Sequence, residues 1–160
     1  MRWRIITWIT LVSTGLSHIM IRKRKLYYDF YEYKGMPNKS LGKSFSNYVV
    51  QAKIPFKQNL IRHDLKHILL GYKMTMQDEL RIHAFLVGNR CYNPIAMAYL
   101  FICLLIVPES IGGIKNDFYR GRKTPCLKKT NLQKLAQKDL TKCRIELGVP
   151  PLKKGLFYSS

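Results

Sequence analysis

The sequence predicts an all-α protein: a compact single-domain helical bundle of about five to seven helices with a buried central apolar helix. In several segments, apolar residues recur at the 3.6-residue spacing of amphipathic helices. These segments lie between capping residues and Gly or Pro stop signals. The chain has 160 residues, 47% of them hydrophobic, so residues 1–160 can form a single domain around one core, and global disorder is excluded.

The N-terminal segment, residues 1–25, is predicted to form an amphipathic helix with basic flanks. Apolar residues recur helically between Ile5 and Met20, with two arginines before this stretch and a basic run at 22–25 after it. The stretch is too short to cross a hydrocarbon core of ~30 Å. It also lacks the small-x-small site that follows a signal peptide. We expect this helix to lie at the membrane surface, and packing against the core is the alternative.

An aromatic run follows from Tyr27 to Tyr33. We expect it to pack in the core or in an interface rather than to stack on nucleic-acid bases, because Asp29 and Glu32 repel phosphate. Residues 35–58 are predicted to be loop, with one short helix around 45–52.

Two consecutive helices are predicted next, and Gly71-Tyr72 lies between them where the chain can reverse. The second opens at a capping box, Thr75 to Asp78, and closes near Gly88-Asn89. The apolar stripe of the first helix is Ile61, Leu65, Ile68 and Leu69, with its two histidines on the opposite side. On the second helix, Glu79 falls among the apolar residues. The opposite side, the back of this helix, is formed by Gln77, Arg81 and Ala84.

The apolar run from Ile95 to Val107 follows an Asn93-Pro94 cap and stops at Pro108. A helix that is apolar all round belongs at the centre of a bundle, and at about 20 Å this one is too short to cross a bilayer. Gly112-Gly113 is predicted to begin a loop that carries a basic cluster. Asn131 is predicted to cap a final helix whose inward residues are Leu132, Leu135, Leu140, Cys143 and Leu147.

The most informative motif is His63-Asp64-x-x-His67, followed after eleven residues by Glu79. The two histidines are one helical turn apart, and Asp64 falls in the same arc. A carboxylate on an inward stripe is costly unless it meets a cation or several donors. The motif therefore predicts a site for a divalent metal, with zinc the first choice. A solvated polar face on the first helix would give the same histidine spacing and is the alternative.

Two further histidines, His18 and His83, lie outside the motif. His83, one turn after Glu79, is predicted to be a core histidine bonded to Glu79 rather than an extra ligand, and His18 is given no role. The four cysteines, Cys91, Cys103, Cys126 and Cys143, have no paired spacing. They indicate reduced thiols in a cytosolic-type compartment rather than a cysteine metal site.

With this motif and its surroundings the chain resembles the coenzyme Q (ubiquinone) biosynthesis family called Coq-four. The similarity covers roughly residues 55–150 and is carried by the motif itself, Ile68-Leu69-Leu70-Gly71-Tyr72, Asn93-Pro94, Tyr119-Arg120-Gly121-Arg122 and Arg144-Ile145-Glu146-Leu147-Gly148. The family is helical, associates with membranes and with other quinone-pathway proteins, and binds a divalent metal through the four motif residues. It is linked to the exchange of the ring carboxylate of a polyprenyl-benzoate precursor for a hydroxyl group.

The resemblance implies that His63, Asp64, His67 and Glu79 bind a metal, with Asp64 as fourth ligand or as catalytic base. The predicted function is metal-dependent oxidative decarboxylation of a polyprenylated hydroxybenzoate at the membrane surface. Arg120 and Arg122 are assigned to an anionic head group, with a solvated loop as the alternative. The predicted partners are the precursor lipid, other quinone-biosynthesis proteins and a second copy of the chain. The predicted location is the cytoplasm, with peripheral association to the inner face of the membrane. A non-catalytic lipid-binding scaffold is the second hypothesis.

The formal net charge of +19 is the other strong feature, and it favours an anionic surface as neighbour. Basic clusters lie at both ends of residues 1–25, at 120–123 and at 128–129, and Lys134, Lys138 and Lys142 form a stripe. Specific nucleic-acid binding is not expected, because no recognisable nucleic-acid module surrounds these clusters.

Overall fold

The computed structural model describes residues 4–5, 28–57, 60–92 and 94–152. Across these ranges the chain forms seven α-helices, and the one β-pairing found there is an isolated bridge between Ser40 and Asp139. The helices are α1 (Phe30–Gly35), α2 (Leu41–Gln51), α3 (Ile61–Leu70), α4 (Met76–Gly88), α5 (Pro94–Ile106), α6 (Ile111–Lys123) and α7 (Leu140–Glu146). The predicted all-α class is confirmed. Apart from Arg4 and Ile5, the helix predicted for residues 1–25 lies outside the described residues.

Helices α1 and α2 form one side of the main core. The Asp29 side chain caps α1 in a reciprocal capping box with Glu32, and Ser40 caps α2 through the Lys43 N–H. Tyr33 of the aromatic run is buried and meets the Phe45 ring edge to face at 5.2 Å. The predicted helix around 45–52 is thus present, but it begins earlier, at Leu41.

Helices α3 and α4 form the hairpin that carries the motif. Gly71 ends α3 in the left-handed conformation, with φ of 81°, and its N–H donates to the His67 carbonyl. The Thr75 hydroxyl then caps α4 by accepting from the Asp78 N–H. The chain reversal between these two caps places the first turn of α4 beside the histidines of α3.

Helix α4 crosses α6 at a pair of glycines. A Cβ on Gly88 would lie 2.1 Å from the Phe118 carbonyl oxygen, and a Cβ on Gly121 would lie 2.1 Å from that of Phe85. Only glycine permits this approach. The prediction of a loop from Gly112-Gly113 is wrong, because packing against α4 outweighs the low helix propensity of glycine and α6 is helical from Ile111.

The α4–α6 crossing also changes the picture of the side of α4 that was predicted to lie opposite Glu79. Arg81 and Ala84, placed on the back of α4 by the sequence, are buried because α6 packs against that side. Both faces of α4 are therefore inside the protein, with Glu79 towards α3 and Arg81 towards α6.

Helix α5 is not the buried centre of the bundle, and that prediction is wrong. It packs on α4 through Tyr99 and Cys103, whereas Phe101 is 64% and Leu105 69% exposed. We define the outer face of α5 as Met97, Phe101, Ile102 and Leu105, all of which are exposed. In the part of the chain that the structure describes, no helix combines the length and the apolar character needed to span a bilayer.

The final helix is shorter than predicted. It begins at Leu140 with Asp139 as its cap, and the residues from Leu132 to Gln137 form turns instead. The carbonyls of Ala136 and Lys138 accept from the first N–H groups of α2, so they are not free to continue a helix. Leu132 and Cys143 are nevertheless buried, as predicted.

Candidate metal centre

Three motif side chains meet between α3 and α4. The Nε2 atoms of His63 and His67 lie 3.0 Å apart, and the Glu79 carboxylate lies 3.2 Å from each of them. One donor atom from each residue falls within a group no wider than 4.8 Å, which is the one such group of His, Cys, Asp or Glu found among the described residues. The structure thus brings together three of the four predicted ligands.

These separations suit a zinc-sized cation. Tetrahedral ligands at about 2.0–2.1 Å from a metal lie roughly 3.3 Å from one another. With Glu79 Oε1 as the carboxylate donor, the three donor-to-donor distances are 3.0 to 3.4 Å, close to that value. Two imidazoles and one carboxylate also form a donor set that zinc accepts in catalytic sites, where a fourth position stays open. His63 is partly exposed, so one side of the group faces solvent.

His67 is the fixed member of the group. Its side chain has no exposed surface, and its Nδ1 lies 3.0 Å from the Lys73 carbonyl oxygen. A carbonyl can only accept, so Nδ1 carries a proton. In the singly protonated ring, Nε2 then presents its lone pair towards His63 and Glu79. This is the second hydrogen bond that metal-bound histidines make in proteins.

Glu79 and the histidines of this group each favour the charged form of the other. Burial works against ionisation of Glu79, but the histidines outweigh it and hold the Glu79 pKa well below its usual range. Burial likewise works against the charged form of His63, yet the Glu79 carboxylate raises the pKa of His63. The site therefore attracts positive charge, whether a proton on His63 or a cation between the three side chains.

Asp64, the predicted fourth ligand, lies outside the close group of three. Burial raises the pKa of Asp64 to about 6, and the neighbouring His63 and His67 oppose that rise. Its carboxyl group is thus near the site and titrates close to neutral pH. Its role as ligand or base stays a prediction.

His83 lies behind Glu79 rather than among the three. Its Nε2 is 3.9 Å from Glu79 Oε2, too long for a hydrogen bond, and its ring packs at 4.9 Å from that of Tyr99. Burial lowers the pKa of His83 to about 4, so the ring is neutral at physiological pH. His83 is thus a mostly buried histidine that packs on Tyr99, and the predicted bond to Glu79 is not formed.

The two arginines assigned to a head group are placed differently. Arg120 is buried, donates to the Leu70 and Pro150 carbonyls, and lies over the Tyr72 ring. Its hydrogen bonds join α6 to the end of α3 and to the C-terminal segment. Arg122 is exposed on the same helix, not in a loop. Head-group binding by this pair stays a prediction.

A cavity of about 270 Å³ adjoins the histidine side of the hairpin. Its walls include Tyr48, His67, Ile68, Tyr72 and Lys73. This volume lies just below the usual range for a drug-sized ligand, so it does not accommodate a long polyprenyl tail by itself.

Two features of the structure could not be predicted from the sequence. One is the buried Asp78–Arg81–Asp117 cluster, in which Arg81 Nε donates to Asp117 at 2.7 Å. Asp117 belongs to a helix that was not predicted, so no sequence signal joined these three residues. The other is the approach of Cys91 to Cys126, whose sulfurs lie 3.9 Å apart as free thiols although the two residues are far apart in sequence.

Comparison with known proteins gives a fold relationship. No family model matches the chain, and no curated protein matches it at a significant level. The chain is similar in structure to a crystal structure from Nostoc punctiforme described as a candidate ubiquinone biosynthesis protein. The TM-score is 0.65 at 16% sequence identity, with 92% of this chain and 81% of that chain covered. At this identity the comparison establishes a shared helical fold.

Proposed function

We propose that the chain is a metal-binding protein of ubiquinone biosynthesis that acts on a polyprenylated hydroxybenzoate. The convergence of His63, His67 and Glu79 from two helices carries the proposal, because buried groups of this kind need a shared cation or proton. The fold shared with the Nostoc punctiforme protein supports it. So does the resemblance of the surrounding motifs to the Coq-four family.

The proposed reaction releases the ring carboxylate as CO2 and leaves a hydroxyl group in its place. Dioxygen is the oxidant: one of its atoms becomes the hydroxyl oxygen, and the other is reduced to water with two electrons from an added reductant such as ascorbate. His63, His67 and Glu79 would hold the cation, which would supply Lewis-acid stabilisation for negative charge left on the ring. Asp64, with a pKa raised to about 6, is suited to accept and return a proton near neutral pH.

The proposed place of action is a membrane surface. The outer face of α5 exposes four large apolar side chains, and the chain carries a net charge of +19. Apolar side chains and a basic surface together favour binding to an anionic bilayer. A substrate with a polyprenyl tail would reach the site from that bilayer, since the adjoining cavity is small.

The test is direct conversion. Purified protein reconstituted with zinc, or in parallel with manganese or iron, is incubated with a polyprenyl hydroxybenzoate, ascorbate as the reductant and isotope-labelled dioxygen. The expected product has exchanged its carboxyl group for a labelled hydroxyl, and Glu79→Gln yields none. Recovery of unchanged substrate with every metal would contradict the reaction.

The outer face of α5 also favours a second function, a non-catalytic lipid-binding scaffold. Such a protein would co-purify with a prenylated lipid and return it unchanged. Mass spectrometry of lipid bound to the protein, before and after incubation with metal and dioxygen, separates the two functions.

A further inference from the structure

We infer that Asp78 is a positioning residue that, through the main chain of Lys73, fixes the ring and tautomer of His67. The inference rests on the proposed metal centre and deepens it. Lys73 lies in the turn between α3 and α4, where its carbonyl accepts from His67 Nδ1 at 3.0 Å. The orientation of this one carbonyl decides which nitrogen of His67 faces the other two ligands.

The turn is held from both sides of Lys73. The Lys73 N–H donates to Asp78 Oδ2 at 2.8 Å, which fixes the peptide group before it. The Met74 N–H donates to the Tyr48 hydroxyl at 3.0 Å, which fixes the peptide group that contains the Lys73 carbonyl. Since each peptide group is planar, these two bonds leave the carbonyl little freedom to turn away from His67.

Asp78 is itself held by charge. Arg81 Nη1 donates to Asp78 Oδ1 at 3.2 Å, and Arg81 Nε donates to Asp117 Oδ2 at 2.7 Å. The Tyr72 hydroxyl donates to Asp117 Oδ1 at 2.8 Å, so the residue before Lys73 is tied to the same cluster. Asp78, Arg81 and Asp117 are all nearly fully buried, where such charge-assisted bonds are strong.

The cluster therefore acts on the metal centre without touching it. Its hydrogen bonds fix the turn, the turn holds the proton of His67 on Nδ1, and Nε2 is left as the donor atom. Loss of the hydrogen-bond partner of a metal-bound histidine commonly weakens metal binding by about 10- to 100-fold, and Asp78 holds that partner, the Lys73 carbonyl, in place.

The experiment compares Asp78→Ala with Asp139→Ala in otherwise full-length protein. Asp139 also accepts a main-chain N–H, that of Lys142, but it caps α7 away from the site. Zinc affinity is measured by competition with a chromophoric chelator. We expect about 10- to 100-fold weaker binding in Asp78→Ala and wild-type binding in Asp139→Ala.

A second measurement keeps the inference testable without metal. Long-range nitrogen–proton NMR of the metal-free protein reports the tautomer of His67. We expect the Nδ1–H form in the wild type, a mixture of forms in Asp78→Ala, and a partial return of Nδ1–H in Asp78→Asn, which keeps an acceptor oxygen.

The inference is overturned if folded Asp78→Ala keeps the pure Nδ1–H form, whatever its zinc affinity. If Asp78→Ala does not fold, Tyr48→Phe removes the other anchor of the turn and is expected to shift the tautomer in the same direction. An unchanged tautomer in Tyr48→Phe would overturn the inference in that case. If wild-type protein binds no zinc, the proposed function fails, while the tautomer still decides the role of Asp78.

Discussion

The imidazole rings of His63 and His67 face each other across one helical turn, with their Nε2 atoms 3.0 Å apart. His67 keeps its proton on Nδ1 for the Lys73 carbonyl, so its Nε2 presents a lone pair. His63 can meet that lone pair with a proton, or both rings can turn lone pairs to a cation. Glu79 stabilises either arrangement, because its carboxylate lies beside the proton of His63 in the first and beside the cation in the second.

The raised pKa of the partly buried Asp64 predicts that replacing this residue stabilises the protein in a pH-dependent way. Its folded pKa of about 6 exceeds the unfolded value of about 4, so ionisation disfavours the folded state as pH rises between them. In metal-free protein, Asp64→Asn should raise the free energy of unfolding by about 1–3 kcal/mol near pH 8 and leave it unchanged near pH 3.5. Urea unfolding at both pH values measures this.

Asp29→Asn is the matched control for Asp64, because Asp29 is exposed and Asn caps a helix as well as Asp does. A stability gain that Asp64→Asn shows equally at both pH values would contradict the assigned burial effect.

The glycine pair at the α4–α6 crossing predicts an overpacking cost. Gly121→Ala should lower the free energy of unfolding by about 2 kcal/mol or more, because the new methyl group would collide with the Phe85 carbonyl. Gly112→Ala, on the same helix with open space around it, should instead gain about 0.5–1 kcal/mol. Equal effects in chemical denaturation would mean that the two helices do not approach as described.

The outer face of α5 predicts membrane binding. Replacing Phe101 and Leu105 by serine should weaken partition onto anionic vesicles about tenfold or more, since each exposed side chain has about 1.5–3 kcal/mol to gain by burial. Vesicle co-sedimentation measures the loss. Ile145→Ser removes an equally exposed apolar side chain from α7 and should bind like the wild type. Unchanged binding of the double variant would exclude this face as the contact.

Much of the fold could be predicted from local signals, because caps and stops act within a few residues. The Thr75 cap and the Gly71 stop fixed the hairpin, and the spacing of His63, His67 and Glu79 followed from it. The burial of α5 could not be predicted from its composition. An apolar helix can lie at the centre of a bundle, or it can lie at the surface with an exposed face that binds a lipid or a partner protein.

The cluster of Asp78, Arg81 and Asp117 beside the site could not be predicted from the sequence for a different reason. Asp78 and Asp117 meet through Arg81, and α6, the helix that carries Asp117, packs against α4. Glycines at 112 and 113 suggested a loop there. The helix forms there through packing with residues distant in sequence, and the local pattern around those glycines does not indicate that packing.

The central claim, a metal held by His63, His67 and Glu79, is tested most directly by metal stoichiometry. Protein is reconstituted with zinc, dialysed and submitted to elemental analysis. We expect about one equivalent of zinc in the wild type and in Glu146→Gln, which replaces an exposed glutamate. Glu79→Gln and His67→Ala should retain less zinc, because each loses at least tenfold in affinity. Wild-type protein that stays metal-free, or Glu79→Gln that retains a full equivalent with unchanged affinity, would contradict the account.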